Sequence, residues 1–230
     1  NINISSAFQT AKNYIQQTTP NNELSYSSSL KTSITLNGYN YYKIDDKLKF
    51  NITAYQSLQN NEDNKTIPTI LPFITFDTGS SKYKNFTYNN SFEFYNIFRD
   101  TPTNIHSKSQ KKISTTFSTN SDFIKYKTKF NLKSNLYNQL YDVEDKKINN
   151  DYVGSHYFRS FPIFGLSLET PFKNKSFFKK IIYTPKVSLV LSPGMSNSNR
   201  ISNEDSSINA YTIQNNSSLN RFTGTDKLDN

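Results

Sequence analysis

Apolar residues recur at every second position over long stretches, which marks strands with two unlike faces. In residues 47–55, Leu48, Phe50, Ile52 and Ala54 share one face, and Lys47, Lys49, Asn51 and Thr53 share the other. Residues 84–98 repeat the pattern, with Phe86, Tyr88, Phe92 and Phe94 opposite Asn85, Thr87, Asn89, Ser91 and Glu93. Residues 123–137 read as a third such strand. Ile124, Tyr126, Phe130, Leu132 and Leu136 fall on one side, and Lys125, Lys127, Lys129, Asn131, Lys133 and Asn135 on the other. Further strands are expected at 28–36, 68–76, 111–119, 157–169, 179–192 and 208–223, about nine in all. Turn residues separate them: Asn37-Gly38, Asp45-Asp46, Asp77-Thr78-Gly79, Asn120-Ser121-Asp122 and Pro193-Gly194. Helical periodicity is weak, and residues 5–17 hold the one short helix expected.

Strand length and face chemistry narrow the class. Strands of soluble proteins usually run about five or six residues, whereas a membrane-crossing strand needs about 9–11 and is tilted. Lysines at Lys125, Lys127, Lys129 and Lys133 on one strand face exceed what an exposed sheet needs, and a water-filled lumen accommodates them. The expectation is an all-β, antiparallel, up-and-down transmembrane β-barrel segment, with residues 1–230 an interior part of one large outer-membrane β-barrel domain. Bacterial barrels use even strand numbers, so nine strands imply more elsewhere and an open, curved sheet here. Lys47, Lys49, Lys125, Lys127, Lys129 and Lys133 are expected to face the lumen. Leu48, Phe50, Ile52, Phe86, Phe92, Phe94, Ile124, Phe130 and Leu132 are expected to face lipid. Longer connections near 58–67, 99–110, 138–152 and 193–207 should group on the outer side. They should alternate with short turns near 37–46, 77–82, 120–122 and 170–178.

Composition removes competitors. Only 34% of the 230 residues are hydrophobic and the mean hydropathy is −0.72, yet 15% are aromatic. That is too aromatic for a disordered chain, and it suits strands. The absence of cysteine excludes disulfides and thiolate metal sites within these residues. No window approaches 18 apolar residues, so no transmembrane helix is expected. The chain starts without Met and stops just after a patterned segment, so both ends read as cuts through a longer protein. The net charge of +9 raises a nucleic-acid reading. Lysine far outnumbers arginine, however, and is scattered at strand spacing rather than gathered in one patch.

Ordered motifs then suggest a family. Ile201-Ser202-Asn203-Glu204-Asp205-Ser206, followed by Ser218-Leu219-Asn220-Arg221-Phe222-Thr223-Gly224-Thr225-Asp226-Lys227, resembles a signature of the LptD family of lipopolysaccharide-assembly outer-membrane proteins. The signature reads roughly N-x-D-S, a strand, then N-R-F-x-G-x-D-R, carried here by Asn203, Asp205, Arg221, Gly224 and Asp226. Arg159-Ser160-Phe161-Pro162 looks like the family's R-x-x-P strand. Tyr183-Thr184-Pro185-Lys186-Val187 is similar to its T-P-R strand. Tyr55-Gln56-Ser57-Leu58 and Ile67-Pro68-Thr69-Ile70-Leu71-Pro72 follow in the expected order, so the resemblance runs from about residue 24 to the end. Lys186 and Lys227 stand where the family has Arg.

The resemblance implies a periplasmic domain followed by a very large barrel. Such a barrel receives lipopolysaccharide from a periplasmic bridge and places it in the outer leaflet. A lipoprotein, LptE, plugs its lumen, and the family's structural cysteines lie outside the matching stretch. By that implication these residues are the middle of the barrel, a wall without the lateral exit, in contact with outer-membrane lipids. Two other readings stay open. A different outer-membrane barrel, porin-like or receptor-like, would keep the alternation and lose the signature. A soluble β-sandwich surface protein would have shorter strands.

No catalytic, metal or cofactor site is read from the sequence. Phe76-Asp77-Thr78-Gly79-Ser80-Ser81 matches an aspartic-protease motif, but that chemistry needs two carboxylates sharing a proton, and no second copy occurs. A turn is the simpler reading. His106 and His156 lack partners at metal-ligand spacing and read as loop residues, as do Asp142, Glu144 and Asp145, although a loop cation site is conceivable there. The lysines of 125–133 have two readings: a polar lumen wall, or charge that accommodates phosphorylated lipid A or an acidic partner surface.

Overall fold

The computed structural model describes residues 1–8, 29–42, 45–58, 63–175, 180–207 and 218–229. Twelve strands are present among them: β1 (Ile2–Ser5), β2 (Ser29–Tyr39), β3 (Lys47–Ser57), β4 (Thr69–Asp77), β5 (Ser81–Tyr83), β6 (Phe86–Phe98), β7 (Ser109–Lys125), β8 (Thr128–Ile148), β9 (Asp151–Glu169), β10 (Phe172–Lys175), β11 (Lys180–Tyr183) and β12 (Lys186–Leu191). Ten form one antiparallel up-and-down sheet in the order β1-β2-β3-β4-β6-β7-β8-β9-β12, with β5 paired to β6. The sheet is open, with β1 and β12 at its edges, and β10 and β11 form a separate hairpin. The strands at its centre have 17, 21 and 19 residues (β7, β8, β9). At about 3.3 Å per residue they run well past the roughly 9–11 residues that a tilted crossing of the hydrocarbon core needs.

Register defines two faces. One row of directly paired residues crosses six strands: Lys49, Thr75, Glu93, Ser114, Gln139 and Arg159. This inner face is covered by residues that follow β12. The opposite, outer face carries rows such as Phe94, Ile113, Leu140 and Phe158. Phe158 stays 64% exposed and Phe164 55%, so this apolar surface has no cover among the described residues. Among the described residues, the buried hydrophobic clusters lie on the inner side. Tyr137, Phe161 and Ile163 pack with Leu219 and Leu228, while Tyr141 and Val143 pack with Ile201.

Three expectations are corrected. Residues 123–137 are not one strand. Tyr126 and Lys127 both have positive φ, 51° and 64°, the geometry of a two-residue hairpin turn, so β7 ends and β8 begins inside that stretch. Ile124 therefore pairs with Lys129 on the inner face. Lys125 shares the outer face of Phe123 and Phe130, whose rings stack at 4.9 Å, and Lys127 is in the turn. The alternation read straight through a reversal that no Gly or Pro marks.

The connections also differ from expectation. Residues 138–148 are strand, and only Asn149-Asn150 turn the chain, with φ 51° and 76°. The Asp- and Lys-rich stretch joins the sheet through cross-strand pairs, Lys111–Asp142 at 3.2 Å and His156–Asp142 at 3.1 Å. Asn120-Ser121-Asp122 lies within β7, where Asn131 Nδ2 donates to Asn120 Oδ1 at 2.7 Å. Asn37-Gly38 lies within β2. The long and short connections consequently do not alternate. The turns at Asp45-Asp46 and Asp77-Thr78-Gly79 do fall where expected. Gly79 N–H donates to Asp77 Oδ1 at 2.8 Å with φ 66°, so this motif is a turn.

The C-terminal part differs as well. The stretch 179–192 is divided at Thr184-Pro185, and β11 pairs with β10 instead of the main sheet. Of the expected strand 208–223, residues 208–217 lie outside the described residues, and 218–223 form a single isolated bridge at Phe222 and no strand. Of the expected helix at 5–17, residues 9–17 lie outside the described residues, and Ser5 ends β1.

Candidate functional site

Residues 192–207 and 218–229 form an irregular strap against the inner face. An irregular backbone cannot satisfy its own N–H and C=O groups, so side chains of the wall must do so. Lys112 on β7 is central. Its side chain is 0% exposed. Its Nζ lies 2.8 Å from Asp205 Oδ2, 3.1 Å from Asp226 Oδ1 and 2.7 Å from Glu93 Oε1, and donates to Thr225 Oγ1 at 2.6 Å. The Tyr95 ring faces the ammonium at 5.0 Å. One cation thus serves two carboxylates of the strap and one of the wall.

The two halves of the signature brace each other. Asp226 Oδ2 accepts the N–H groups of Glu204 and Asp205 at 2.8 and 3.2 Å. Asp205 Oδ1 accepts those of Asp226 and Thr225 at 2.9 and 3.2 Å. Tyr95 and Tyr141 hydroxyls donate to Asp226 Oδ1 at 2.9 and 3.2 Å. Gly224 sits so close that a Cβ there would lie 2.3 Å from Asp205 Oδ1. Asn203 closes its own turn, donating to Ser206 O at 2.6 Å and accepting Ser206 N–H at 3.0 Å. Arg221 pairs with Asp229, with Nη2 donating to Oδ1 at 2.8 Å.

Arg159 on β9 holds the strap's backbone. Its Nη2 donates to Thr225 O at 2.8 Å and Asp226 O at 3.1 Å, its Nη1 to Asn197 Oδ1 at 3.1 Å, and its Nε to Gln139 Oε1 at 2.8 Å. Gln110 pairs with Ser202 as another strand would. Its Nε2 donates to Ser202 O at 3.0 Å, and its Oε1 accepts Ser202 N–H at 2.7 Å. At the strand ends Arg99 meets Glu204 in a two-pronged pair at 3.1 and 2.6 Å, and His106 Nδ1 lies 3.2 Å from the same carboxylate. His106, expected to be a loop residue without a role, thus belongs to this contact.

The charges of the strap are tuned in opposite directions. Burial pushes Glu204 up, but the hydrogen bonds and charges of His106 and Arg99 outweigh it and hold the carboxyl below the usual range. Burial likewise opposes Asp205, which Lys112 and Ser206 hold low. For Asp226 burial wins over Lys112, with the Asp205 charge adding to it, and the carboxyl is pushed up. The signs follow. The contributions of Glu204 and Asp205 are full above the ordinary carboxylate range and lost as pH falls through their lowered values. That of Asp226 is lost as pH rises through its raised value. Lys112, Arg159, Arg99, His106 and Glu93 face these groups from the wall and its loops. With two carboxylates held low against one raised, docking is expected to weaken on acidification below about pH 4. Protease access to residues 193–207, followed across pH, measures this, and access that stays constant refutes it.

The sequence placed Arg159, Asn203, Asp205, Gly224 and Asp226 among the motif residues, and the structure brings them together. Pro162 and Pro185 lie elsewhere. Pro162 is on β9 just beyond the last β12 pair, Phe164 with Leu191, where a missing N–H costs no bond on that side. Pro185 separates β11 from β12. Lys112, Gln110, Gln139, Tyr95 and Arg99 were not singled out. The available signal was the polar second face of 111–119, together with a signature whose two Asp need a cation. Lys47, Lys49, Lys129 and Lys133 share the inner face. Leu48, Phe50, Ile52, Phe86, Phe92, Phe94, Phe130 and Leu132 share the outer face.

Long antiparallel strands, an apolar outer face and a polar inner face covered by a strap define the class: the wall of an up-and-down β-barrel of outer-membrane type. Residues 5–230 match the LptD family, described as LPS transport system D, and the chain belongs to that family. This is an outer-membrane family that acts in lipopolysaccharide transport. No curated protein matches the chain.

Proposed function

We propose that this chain forms an interior part of the wall of one large outer-membrane barrel that places lipopolysaccharide in the outer leaflet, without catalysis. The observation that carries the reading is the docked signature. The motif residues Arg159, Asn203, Asp205, Gly224 and Asp226 converge on a strap fixed to the inner wall, as a barrel with a filled interior requires. Unpaired edges cannot sit in lipid, so β1 and β12 pair with further strands of the full wall. Outer-face residues such as Leu48, Phe50, Phe94 and Leu132 then meet lipid, and inner-face Lys47, Lys49, Lys129 and Lys133 meet water. An LptE-like lipoprotein occupies the remaining lumen, and lipopolysaccharide arrives over a periplasmic bridge. Phosphate binding by a row of lysines is not favoured. Lys129 lies 4.0 Å from Asp122 and opposite Glu169, and Lys125 and Lys127 are off that face.

Placing lysine on the outer face tests the membrane reading. Leu136→Lys, midway along the apolar outer rows, is expected to cost about 2–4 kcal/mol near the bilayer midplane, whereas Ser118→Lys at the same level of the inner face assembles normally. Heat-modifiable migration and the yield of assembled full-length protein report both. Equal tolerance at the two sites rejects a lipid-facing wall. Depletion of the native protein, with complementation by the full-length gene, then asks whether surface lipopolysaccharide depends on it.

A further inference from the structure

The apolar rows of the outer face end differently on the two sides. Along β8 they run from Phe130 to Leu140, close to the roughly 9–11 residues that a tilted crossing needs. Past Leu140 the next outer row is Lys111, Asp142 and His156, and β8 runs on to Ile148. Past Phe130 the chain reverses at once, through Lys127 and Tyr126. Short turns mark the periplasmic end of such a wall, and long extensions the opposite end. The β2–β3, β4–β6 and β9–β12 connections lie at the same end as the β7–β8 turn, and together they form a basic rim. Lys82, Lys84, Lys125 and Lys127 are exposed there and make no ion pair among the described residues. The β10–β11 hairpin adds Lys173, Lys175 and Lys180. Tyr39, Tyr83 and Tyr126 are exposed beside them. Lys84 Nζ lies 5.5 Å from the Tyr83 ring centre, and Lys125 Nζ 5.3 Å from that of Tyr126. At the other end Lys108 and Lys111 are instead paired with Asp145 and Asp142.

Next to this rim the outer face is recessed. The short side chains of Thr119 and Ser134, joined at 2.8 Å, form the floor of a groove of about 320 Å3, with Phe86, Leu132, Phe164 and Leu191 as its walls. A flush lipid-facing surface holds no particular lipid. This recess takes an apolar chain, and Lys125 stands about 13 Å beyond its Ser121 row along β7, on the side where a lipid's headgroup follows its chains. Lysine stems lie along apolar surface and carry their ammonium groups to the interface, where they attract anionic headgroups. No arginine occurs in these connections, so the rim offers point charges without the fixed fork that a single rigid anion would call for. A soluble acidic protein would not reach the recess, which opens toward hydrocarbon. We propose that the outer wall binds an anionic phospholipid of the periplasmic leaflet here, with its phosphate among Lys84, Lys125 and Lys127 and one acyl chain in the groove. The assignment rests on the membrane reading above and adds a ligand on the outside of the wall.

The test is native mass spectrometry of the full-length protein in detergent, titrated with dioleoyl phosphatidylglycerol or dioleoyl phosphatidylcholine. Phosphatidylglycerol is expected to bind at least about tenfold more tightly. Lys84→Gln/Lys125→Gln/Lys127→Gln should reduce that preference to less than about twofold. Lys65→Gln/Lys108→Gln/Lys147→Gln removes the same charge at the other end and should leave the preference unchanged. Thr119→Leu/Ser134→Leu fills the groove with side chains suited to lipid, and should weaken phosphatidylglycerol binding at least about fivefold while the protein migrates as a folded barrel. Equal binding of the two lipids, equal loss in the two lysine triples, or full binding in the filled groove each overturns the proposal. Displacement of phosphatidylglycerol by an equal concentration of lipid A also overturns it. A polyethylene-glycol maleimide should label Lys127→Cys only after the outer membrane is opened, and labelling of intact cells refutes the periplasmic leaflet. Leu136→Lys reports separately on the wall: if that variant fails to assemble while the wild type shows no lipid preference, the lipid site alone falls.

Discussion

Lys112→Met is expected to free the strap from the wall, at a cost of about 3–5 kcal/mol. The side chain is fully buried, and its Nζ is within 3.1 Å of Glu93, Asp205 and Asp226. Methionine has a similar shape and no charge. It leaves buried carboxylates facing one another, and that uncompensated burial, more than the lost attraction, sets the cost. Limited proteolysis at residues 193–207 and loss of heat-modifiable migration measure the effect. A second variant separates electrostatics from packing. Lys112→Met combined with Asp205→Asn and Asp226→Asn removes the repulsion with the cation, and should recover part of the loss through coupling of neighbours. If Lys112→Met keeps the strap as protected as in the wild type, the cluster does not hold it.

Gly224→Ala should disrupt the same contact from the other side. The added Cβ would sit 2.3 Å from Asp205 Oδ1 and 2.5 Å from its carbonyl oxygen, closer than carbon approaches oxygen without movement. The carbonyl is backbone and cannot swing aside, so the two halves of the strap must part. The cost should reach or exceed the roughly 1–3 kcal/mol of an overpacked core. It should appear as faster hydrogen exchange at Thr225 and Asp226, whose N–H groups Asp205 accepts. Ala at Gly194, where a Cβ meets nothing within 4 Å although φ is +67°, controls for backbone strain alone. Equal exchange in the two variants would mean that the close approach at Gly224 is unimportant.

Much of the wall was legible because strand alternation is local. Each of Leu48, Phe50, Phe92 and Phe94 declares its face by the identity of its immediate neighbours, and register later confirms the shared side. The places where reading failed share a physical cause. The reversal at Tyr126-Lys127 carries no turn-forming residue, so an unbroken alternation ran across it and put Ile124 and Lys125 on the wrong faces. The charged run Asp142–Lys147 looked like a loop, although cross-strand partners on β7 and β9 make it strand. Those partners are distant in sequence, and propensity does not contain them.

The motif residues divide in the same way. Sequence alone marked Asp205, Gly224, Asp226 and Arg159 as a set and placed the chain in its family. It could not say that they close on one another, because Asp226 meets Tyr95 from 131 positions away and Glu204 meets Arg99 from 105. The sequence therefore determined the class of fold, the two chemical faces and the family. Only the tertiary structure decided that the signature is a strap instead of a strand, that Lys112 anchors it, and which wall it covers. A strand's faces follow from steric alternation within a few residues, whereas a buried cation acquires its role only when the chain returns to bring it carboxylates.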